Sequence, residues 1–226
     1  MSLLVEIFAQ GKMHAYLQRI FKEMGSYDRE ELTLLQKNKD PRISKAASKI
    51  LDKIQKAPSP RLRVYCLGKF KVFRGDEEIS ADRWKSKKAN MLFKYLIYAR
   101  SRSYLAKEVL MELLWPEEDP KYTASRLQVA LSSLRRTLEP EIIRGTPSSY
   151  LLREGNSYRL CLGDRGFVDV DNFTQELKSA KEEKDPEKAI SHYLNAESLY
   201  GGDFLEEDLY IEWCREERER LNAPGK

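Results

Sequence analysis

Small hydroxyl side chains and arginines share one face of a helix that is predicted between Asp119 and Pro140. At 100° per residue, the outward positions are Ser125, Arg126, Val129, Ser132, Ser133 and Arg136. Small side chains let a helix approach base edges, arginine can bind guanine or phosphate, and an exposed valine can contact a thymine methyl group. The same pattern also fits an ordinary solvated helix face, so the neighbouring elements must decide between the two.

Local signals set the ends of this helix. Asp119 suits the N-cap, Pro120 suits the first helical position, and Pro140 ends the helix. A leucine stripe at helical spacing must face a core; it consists of Leu127, Leu131, Leu134 and Leu138. Arg135 lies nearer this stripe than Arg136, so it is the less suitable of the two for contacting a ligand.

Composition excludes several classes of protein. The chain has 226 residues, of which 34% are charged and 41% hydrophobic, which is typical of a globular protein with a packed core. No run approaches the ~20 apolar residues of a membrane span, so we expect a cytoplasmic protein without membrane partners. Three isolated cysteines and two histidines give no zinc spacing, no disulfide framework and no catalytic constellation. We therefore expect no enzyme, no metal and no cofactor.

Charge is unevenly distributed along the chain. Residues 61–160 hold 20 basic and 12 acidic residues, a net +8, whereas residues 161–226 hold 9 and 17, a net −8. Residues 1–60 carry a net +4. A basic middle beside an acidic tail fits an anion-binding module joined to a protein-binding module, and the phosphate backbone of double-stranded DNA is the leading partner for the middle.

The hydrophobic periodicity predicts an α+β protein. Helices are expected at 3–24 and 41–56, a linker at 57–61, strands between 62 and 79, helices at 86–100 and 105–115, a hairpin at 150–160, and helices again from Asp171. The helix at 105–115 is expected to bury Val109, Leu110, Leu113 and Leu114. This order predicts a winged helix with an N-terminal antiparallel sheet and a C-terminal hairpin. It gives three parts: a helical extension at 1–60, the winged helix at 61–162 and an all-helical domain at 163–226.

Short motifs in this order resemble a known family. They include Arg63 to Phe70, Leu114-Trp115-Pro116, Leu134-Arg135-Arg136-Thr137-Leu138, Asn156 to Leu160, Val168 to Phe173, and Leu199 to Leu205. Segment 62–160 resembles the OmpR/PhoB-type winged helix of the Streptomyces antibiotic regulatory protein (SARP) group. Segment 161–221 resembles the start of the tetratricopeptide-like bacterial transcriptional activator domain that follows it there.

The resemblance implies a DNA-binding transcription regulator, expected to be an activator. Helix 120–139 would enter the major groove, and the wing at 150–160 would lie on the adjacent backbone or minor groove. It also implies RNA polymerase as a partner, pairing of two copies on DNA, and other domains of a longer regulator, because solenoid repeats need neighbours to bury their faces. The competing class is a non-enzymatic protein-interaction module with a winged-helix fold that does not bind DNA.

Four further residues are candidates for DNA contact. Lys87 and Lys88 open a helix, where cations are unfavourable to the dipole, so either phosphate docking or solvation explains them. Arg153 and Asn156 lie at the predicted wing and could contact DNA or form an ordinary exposed turn.

Two departures from the family pattern concern local geometry. Ser157 stands where the family often has glycine before the wing tyrosine, which puts the wing turn in doubt. Ala106 replaces a polar N-cap, so a contribution of ~1 kcal/mol is either missing or supplied elsewhere.

Overall fold

The computed structural model describes residues 32, 34–56, 60–142, 147–163 and 165–222. The helix predicted at 3–24, residues 57–59 of the predicted linker and Ile143 lie outside these residues. The chain divides into two compact units, one of Met1–Ser59 and Glu139–Ser148 and the other of Pro60–Leu138 and Ser149–Lys226.

In the first unit, helix α1 spans Pro41–Lys56, as its apolar periodicity predicts. The Asp40 carboxylate accepts a hydrogen bond from the Arg42 amide (2.8 Å) and so satisfies one of the free donors at the helix start. Ala46, Ala47 and Ile50 are buried along one face. The prediction of a helix at 41–56 is therefore confirmed.

The second unit contains a four-stranded sheet. Its strands are β1 (Leu62–Tyr65), β2 (Lys71–Arg74), β3 (Glu77–Glu78) and β7 (Phe167–Val168), in the order β3-β2-β1-β7. The first three pair antiparallel, as predicted, but β7 runs parallel to β1, with Arg63 opposite Phe167 and Val64 opposite Val168. The predicted antiparallel sheet is therefore confirmed for the strands between 62 and 79, and β7, from the distant C-terminal segment, adds a parallel edge strand that was not predicted.

Three helices and a second sheet follow the first three strands. The helices are α2 (Lys87–Tyr98), α3 (Lys107–Leu114) and α4 (Pro120–Leu138), and the sheet has β4 (Leu105–Ala106), β6 (Ser157–Leu160) and β5 (Leu151–Glu154) in the order β4-β6-β5. Strands β5 and β6 form the predicted antiparallel hairpin, with Glu154 opposite Ser157. Sequence and structure therefore agree on a sheet, three helices and a hairpin in this order.

Helix α3 differs from its prediction in what it buries. Leu110, Met111 and Leu114 are buried, whereas Val109 is 43% exposed and Leu113 is half-buried. The expectation that Val109 lies in the core is wrong. An eight-residue helix turns one narrow face to the core, and Val109 lies outside that face.

Helix α4 begins and ends where local signals place it. The Asp119 carboxylate accepts a hydrogen bond from the Lys121 amide (2.8 Å), and the helix stops at Leu138, two residues before Pro140. The predicted leucine stripe is buried, with Leu127, Leu131, Leu134 and Leu138 each no more than 3% exposed. Since removing one such side chain costs about 2–5 kcal/mol, the stripe fixes which face of α4 points outward.

The C-terminal segment is helical, as predicted, with α5 (Asp169–Glu182), α6 (Pro186–Leu199) and α7 (Glu212–Asn222). It is attached to the four-stranded sheet by Asp169, which is 1% exposed. The Asp169 carboxylate accepts hydrogen bonds from the backbone amides of Cys66 (2.8 Å) and Leu67 (2.8 Å), which follow β1, and from that of Val170 (2.8 Å). The predicted domain boundary at 162/163 therefore falls inside one compact unit.

Backbone contacts at glycines complete this attachment. Gly68 has a φ of 93°, and a Cβ there would lie 2.8 Å from the Gly201 carbonyl oxygen. A Cβ on Gly201 would lie 2.9 Å from the Leu67 carbonyl oxygen. The Gly68 amide also donates a hydrogen bond to the Asp203 carbonyl (3.0 Å). The loop after α6 therefore lies against the end of β1 at a distance that side chains would prevent.

Candidate nucleic-acid interface

The outward face of α4 carries most of the residues that the sequence singled out. Ser125, Arg126, Val129, Ser132 and Arg136 are exposed, and Val129 is 69% exposed. Ser133 is half-buried and lies at the edge of this face. No acidic residue occurs anywhere in Pro120–Leu138. The face therefore combines small polar groups, a short apolar group and two guanidinium groups without a carboxylate of its own.

The two consecutive arginines lie in different surroundings. Arg136 is exposed and forms no ion pair with any described residue, whereas Arg135 is half-buried and its Nε is shielded from solvent without a hydrogen-bond partner there. This difference agrees with the placement of Arg135 nearer the leucine stripe. Of the two, Arg136 has the guanidinium group that is available to an external ligand.

Arg126 is not free in this structure. Its guanidinium group forms an ion pair with the Glu118 carboxylate in the loop between α3 and α4, and both side chains are about half exposed. An exposed ion pair of this kind contributes at most about 1 kcal/mol, so a phosphate group can compete for Arg126. The sequence did not indicate this pairing, because the two residues are eight positions apart across a helix start.

The β5–β6 hairpin is held against both neighbouring helices. The Asn156 carbonyl accepts a hydrogen bond from the Lys107 amide (2.9 Å), which caps α3 where Ala106 has no side chain to do so. From α4, Gln128 Nε2 donates a hydrogen bond to the Tyr158 hydroxyl (3.3 Å). The missing N-cap is therefore supplied by the hairpin, and these bonds fix the hairpin beside α4.

The hairpin turn does not need glycine before Tyr158. Gly155 has a φ of 56° and supplies the positive φ of a two-residue turn, so Ser157 is an ordinary strand residue. Arg153 and Asn156 are exposed at this turn. Arg153 Nε donates a hydrogen bond to the Gly155 carbonyl (2.7 Å), which directs the guanidinium group along the hairpin.

Lys87 and Lys88 at the start of α2 lie in different surroundings. Lys87 is exposed. Lys88 is half-buried, its Nζ donates a hydrogen bond to the Leu114 carbonyl, and it lies 5.5 Å from the centre of the Trp115 ring. Lys88 therefore binds the C-terminal end of α3, where a cation is favourable, and this contact accounts for its position without any ligand.

Sequence reasoning missed two exposed residues of this region. Gln128 lies three residues after Ser125 and four before Ser132, so its helical phase could have identified it. Arg159 on β6 is exposed, with its guanidinium carbon 5.1 Å from the centre of the Tyr104 ring. Its alternation with the buried Tyr158 and Leu160 was the available signal.

Metal ligands and two of the three cysteines are other candidate sources of chemistry in the described residues. They contain no group of three His, Cys, Asp or Glu side chains able to hold a metal ion. Burial raises the pKa of the Cys214 thiol to about 12 and that of the Cys66 thiol well above its usual value. Both thiols are therefore protonated at neutral pH. Among the helices that the structure describes, none is long and apolar enough to cross a membrane.

Comparison with known proteins finds similarity in structure but not in sequence. No protein-family model matches the chain, and no curated protein matches its sequence. A solved structure of Mycobacterium tuberculosis EmbR in complex with a low-affinity phosphopeptide is similar, with a TM-score of 0.58 and 20% sequence identity. The similarity covers 72% of this chain and 42% of the EmbR chain. At this identity the comparison establishes the fold, and the chain has the mixed α and β fold of part of EmbR.

Proposed function

We propose that this chain is a DNA-binding transcription regulator of the SARP type that acts as an activator. In this proposal α4 enters the major groove and the β5–β6 hairpin is a wing that contacts the adjacent backbone or minor groove. The observation that carries the proposal is the outward face of α4. From Ser125 to Arg136, over about 17 Å at 1.5 Å per residue, this face presents serines, Val129 and Arg136 without a carboxylate of its own.

The position of the hairpin supports two simultaneous contacts with DNA. The bonds from Lys107 to Asn156 and from Gln128 to Tyr158 hold the turn at a fixed place beside α4. Arg153 at the turn and Arg136 on the helix would then contact phosphates or base edges from two sides. Such preorganisation reduces the entropic cost of binding, because the hairpin does not have to be ordered when DNA binds.

The similarity in fold to EmbR is a second support, and it agrees with the motif order from Arg63 to Leu205 that resembles the SARP group. RNA polymerase, a second copy on DNA and further domains of a longer regulator belong to the same proposal as partners.

The deciding experiment is DNA binding as a function of salt. Selection from random duplexes with the full chain, followed by fluorescence anisotropy on the selected duplex, gives Kd at each salt concentration. With Lys87, Arg126, Arg136 and Arg153 as the phosphate contacts, we expect log K to fall with log salt with a slope of about −3 to −5. The full chain is needed, because a fragment ending at residue 160 lacks β7 and Asp169.

Two results would contradict the proposal. Absence of binding at low salt would favour the protein-interaction module instead. Binding without a salt slope would remove phosphate contact as its basis.

The Glu118–Arg126 ion pair gives a separate prediction. Replacing Glu118 with glutamine should strengthen binding to the selected duplex about threefold to tenfold at low salt. The change frees Arg126 and removes a negative charge that phosphate would meet. Anisotropy titrations of both proteins measure this ratio.

The matched control is Glu182→Gln, which removes the same charge from an exposed pair with Lys178 on α5. It should leave the affinity for DNA unchanged. Weaker binding by Glu118→Gln would mean that the ion pair orients Arg126 for DNA and does not compete with it.

A further inference from the structure

A groove lies between α3 and α7, and none of its lining residues is among those proposed to contact DNA. It has a volume of about 660 Å³. Its floor is apolar and consists of Tyr95, Val109, Leu113 and Trp213. The Trp213 ring packs edge-on against Tyr95, with ring centres 5.4 Å apart, so the floor is preformed. Val109 has no covering residue and is 43% exposed, which explains why its prediction as a core residue was wrong.

Four exposed glutamates surround this floor in two pairs. Glu108 and Glu112 lie one turn apart on α3, and Glu212 and Glu216 lie one turn apart on α7. Carboxylates of like charge at this spacing destabilise a helix. Glu112 and Glu216 form no ion pair within the described residues. The other two glutamates have partners on their own helices. Glu108 Oε1 lies 3.8 Å from Lys107 Nζ, and Glu212 Oε1 lies 3.5 Å from a guanidinium nitrogen of Arg215.

We propose that this glutamate groove is a docking site for a basic amphipathic helix of a partner protein. Charge complementarity argues for this occupant. Apolar side chains from one face of the incoming helix would cover Val109, Leu113 and Trp213. Lysines or arginines on its flanking rows would neutralise the two glutamate pairs. DNA is unsuitable, because its phosphates would meet the four carboxylates.

This site shares no residue with the proposed DNA contact. No residue of the groove belongs to α4 or to the β5–β6 hairpin. The chain could therefore hold a partner helix while α4 is bound to DNA, and loss of one activity need not affect the other.

The test uses a synthetic helical peptide with leucines along one face and lysines on both flanking rows, free of tryptophan. Calorimetric titration of the full chain should give saturable binding, and Trp213 in the floor should change its fluorescence. The double variant Glu112→Lys/Glu216→Lys should weaken binding at least about tenfold, since two attractive pairs become repulsive. A second variant, Val109→Ser, should weaken binding by removing apolar contact, without changing any charge.

The control variant is Glu219→Lys, which makes the same type of substitution at one exposed position of α7 outside the groove, with half the charge change of the double variant. It should retain the affinity of the parent chain. All the altered side chains are exposed, so circular dichroism should show unchanged folding.

Any of three results would overturn the proposal. The first is equal binding of a matching peptide with glutamates in place of the lysines, and the second is loss of binding in the Glu219 variant. The third is sedimentation of the chain alone as a dimer that Val109→Ser dissociates, which would make a second copy the occupant.

Discussion

Arg136→Ala is expected to weaken binding to the selected DNA about tenfold to a hundredfold and to leave the thermal unfolding midpoint unchanged. An arginine contact to a base edge or a phosphate is worth roughly 1–3 kcal/mol. Arg136 is exposed on the outward face of α4 and forms no ion pair with the described residues, so its loss should not affect packing. Anisotropy titration and circular dichroism melting measure the two quantities.

Arg135→Ala is the matched control, because it removes the same group from the adjacent position. Arg135 is half-buried with its Nε shielded, so alanine there should lower stability through lost packing and change affinity less than Arg136→Ala does. A large fall in the melting midpoint for Arg136→Ala would place Arg136 in the scaffold and remove it from the proposed interface.

Asp169→Ala is expected to lower the free energy of unfolding by about 3 kcal/mol, and the melting midpoint by roughly 6–12 °C. The substitution leaves the buried amides of Cys66, Leu67 and Val170 without their acceptor. It also releases the C-terminal helices from the end of β1. Thermal melting measures the first effect, and limited proteolysis after residue 163 measures the second.

Asp171→Ala on the same turn of α5 is the control. Asp171 forms an ion pair with Arg100, but its side chain is 57% exposed, so its loss should cost no more than about 1 kcal/mol. If both alanine variants lost the same stability, the hydrogen bonds of the buried carboxylate would not be what holds the segment.

The contribution of Asp169 to the free energy of unfolding should depend on pH, in a direction that the shift of its pKa determines. Burial raises the pKa of this carboxyl above its usual value of 3.8, although the amides of Leu67, Cys66 and Val170 oppose the change. Between 3.8 and the raised pKa, the folded chain binds a proton that the unfolded chain has lost, so stability falls as pH rises through that window. The stability advantage of the parent over Asp169→Asn should therefore be larger at the acidic end of the window.

Local sequence signals were sufficient for α4. The Asp119-Pro120 start, the stop before Pro140 and the leucine stripe are all contained in contiguous residues, and capping and helical periodicity depend on neighbours in sequence. The outward position of Ser132 and Arg136 follows from the same periodicity. For this reason the bounds and the facing of the helix could be predicted.

Contacts between distant segments could not be predicted in this way. Strand β7 is two residues long, which is too short to show a period, and its partner β1 lies about a hundred residues earlier. Lys88 binds the end of α3 because of how α2 and α3 pack rather than because of the pattern of either helix. No periodicity within one element carries such information.

The sequence by itself determined the order of sheet, three helices and hairpin, the acid-free face of α4 and the contrast between a basic middle and an acidic tail. Only the tertiary structure showed that Glu118 forms an ion pair with Arg126, that Asn156 caps α3 and that Asp169 joins the C-terminal helices to the sheet. The physical reason is the range of each interaction. Helix and strand propensities act between near neighbours, whereas ion pairs, buried acceptors and grooves require groups that the folded chain brings together from distant positions.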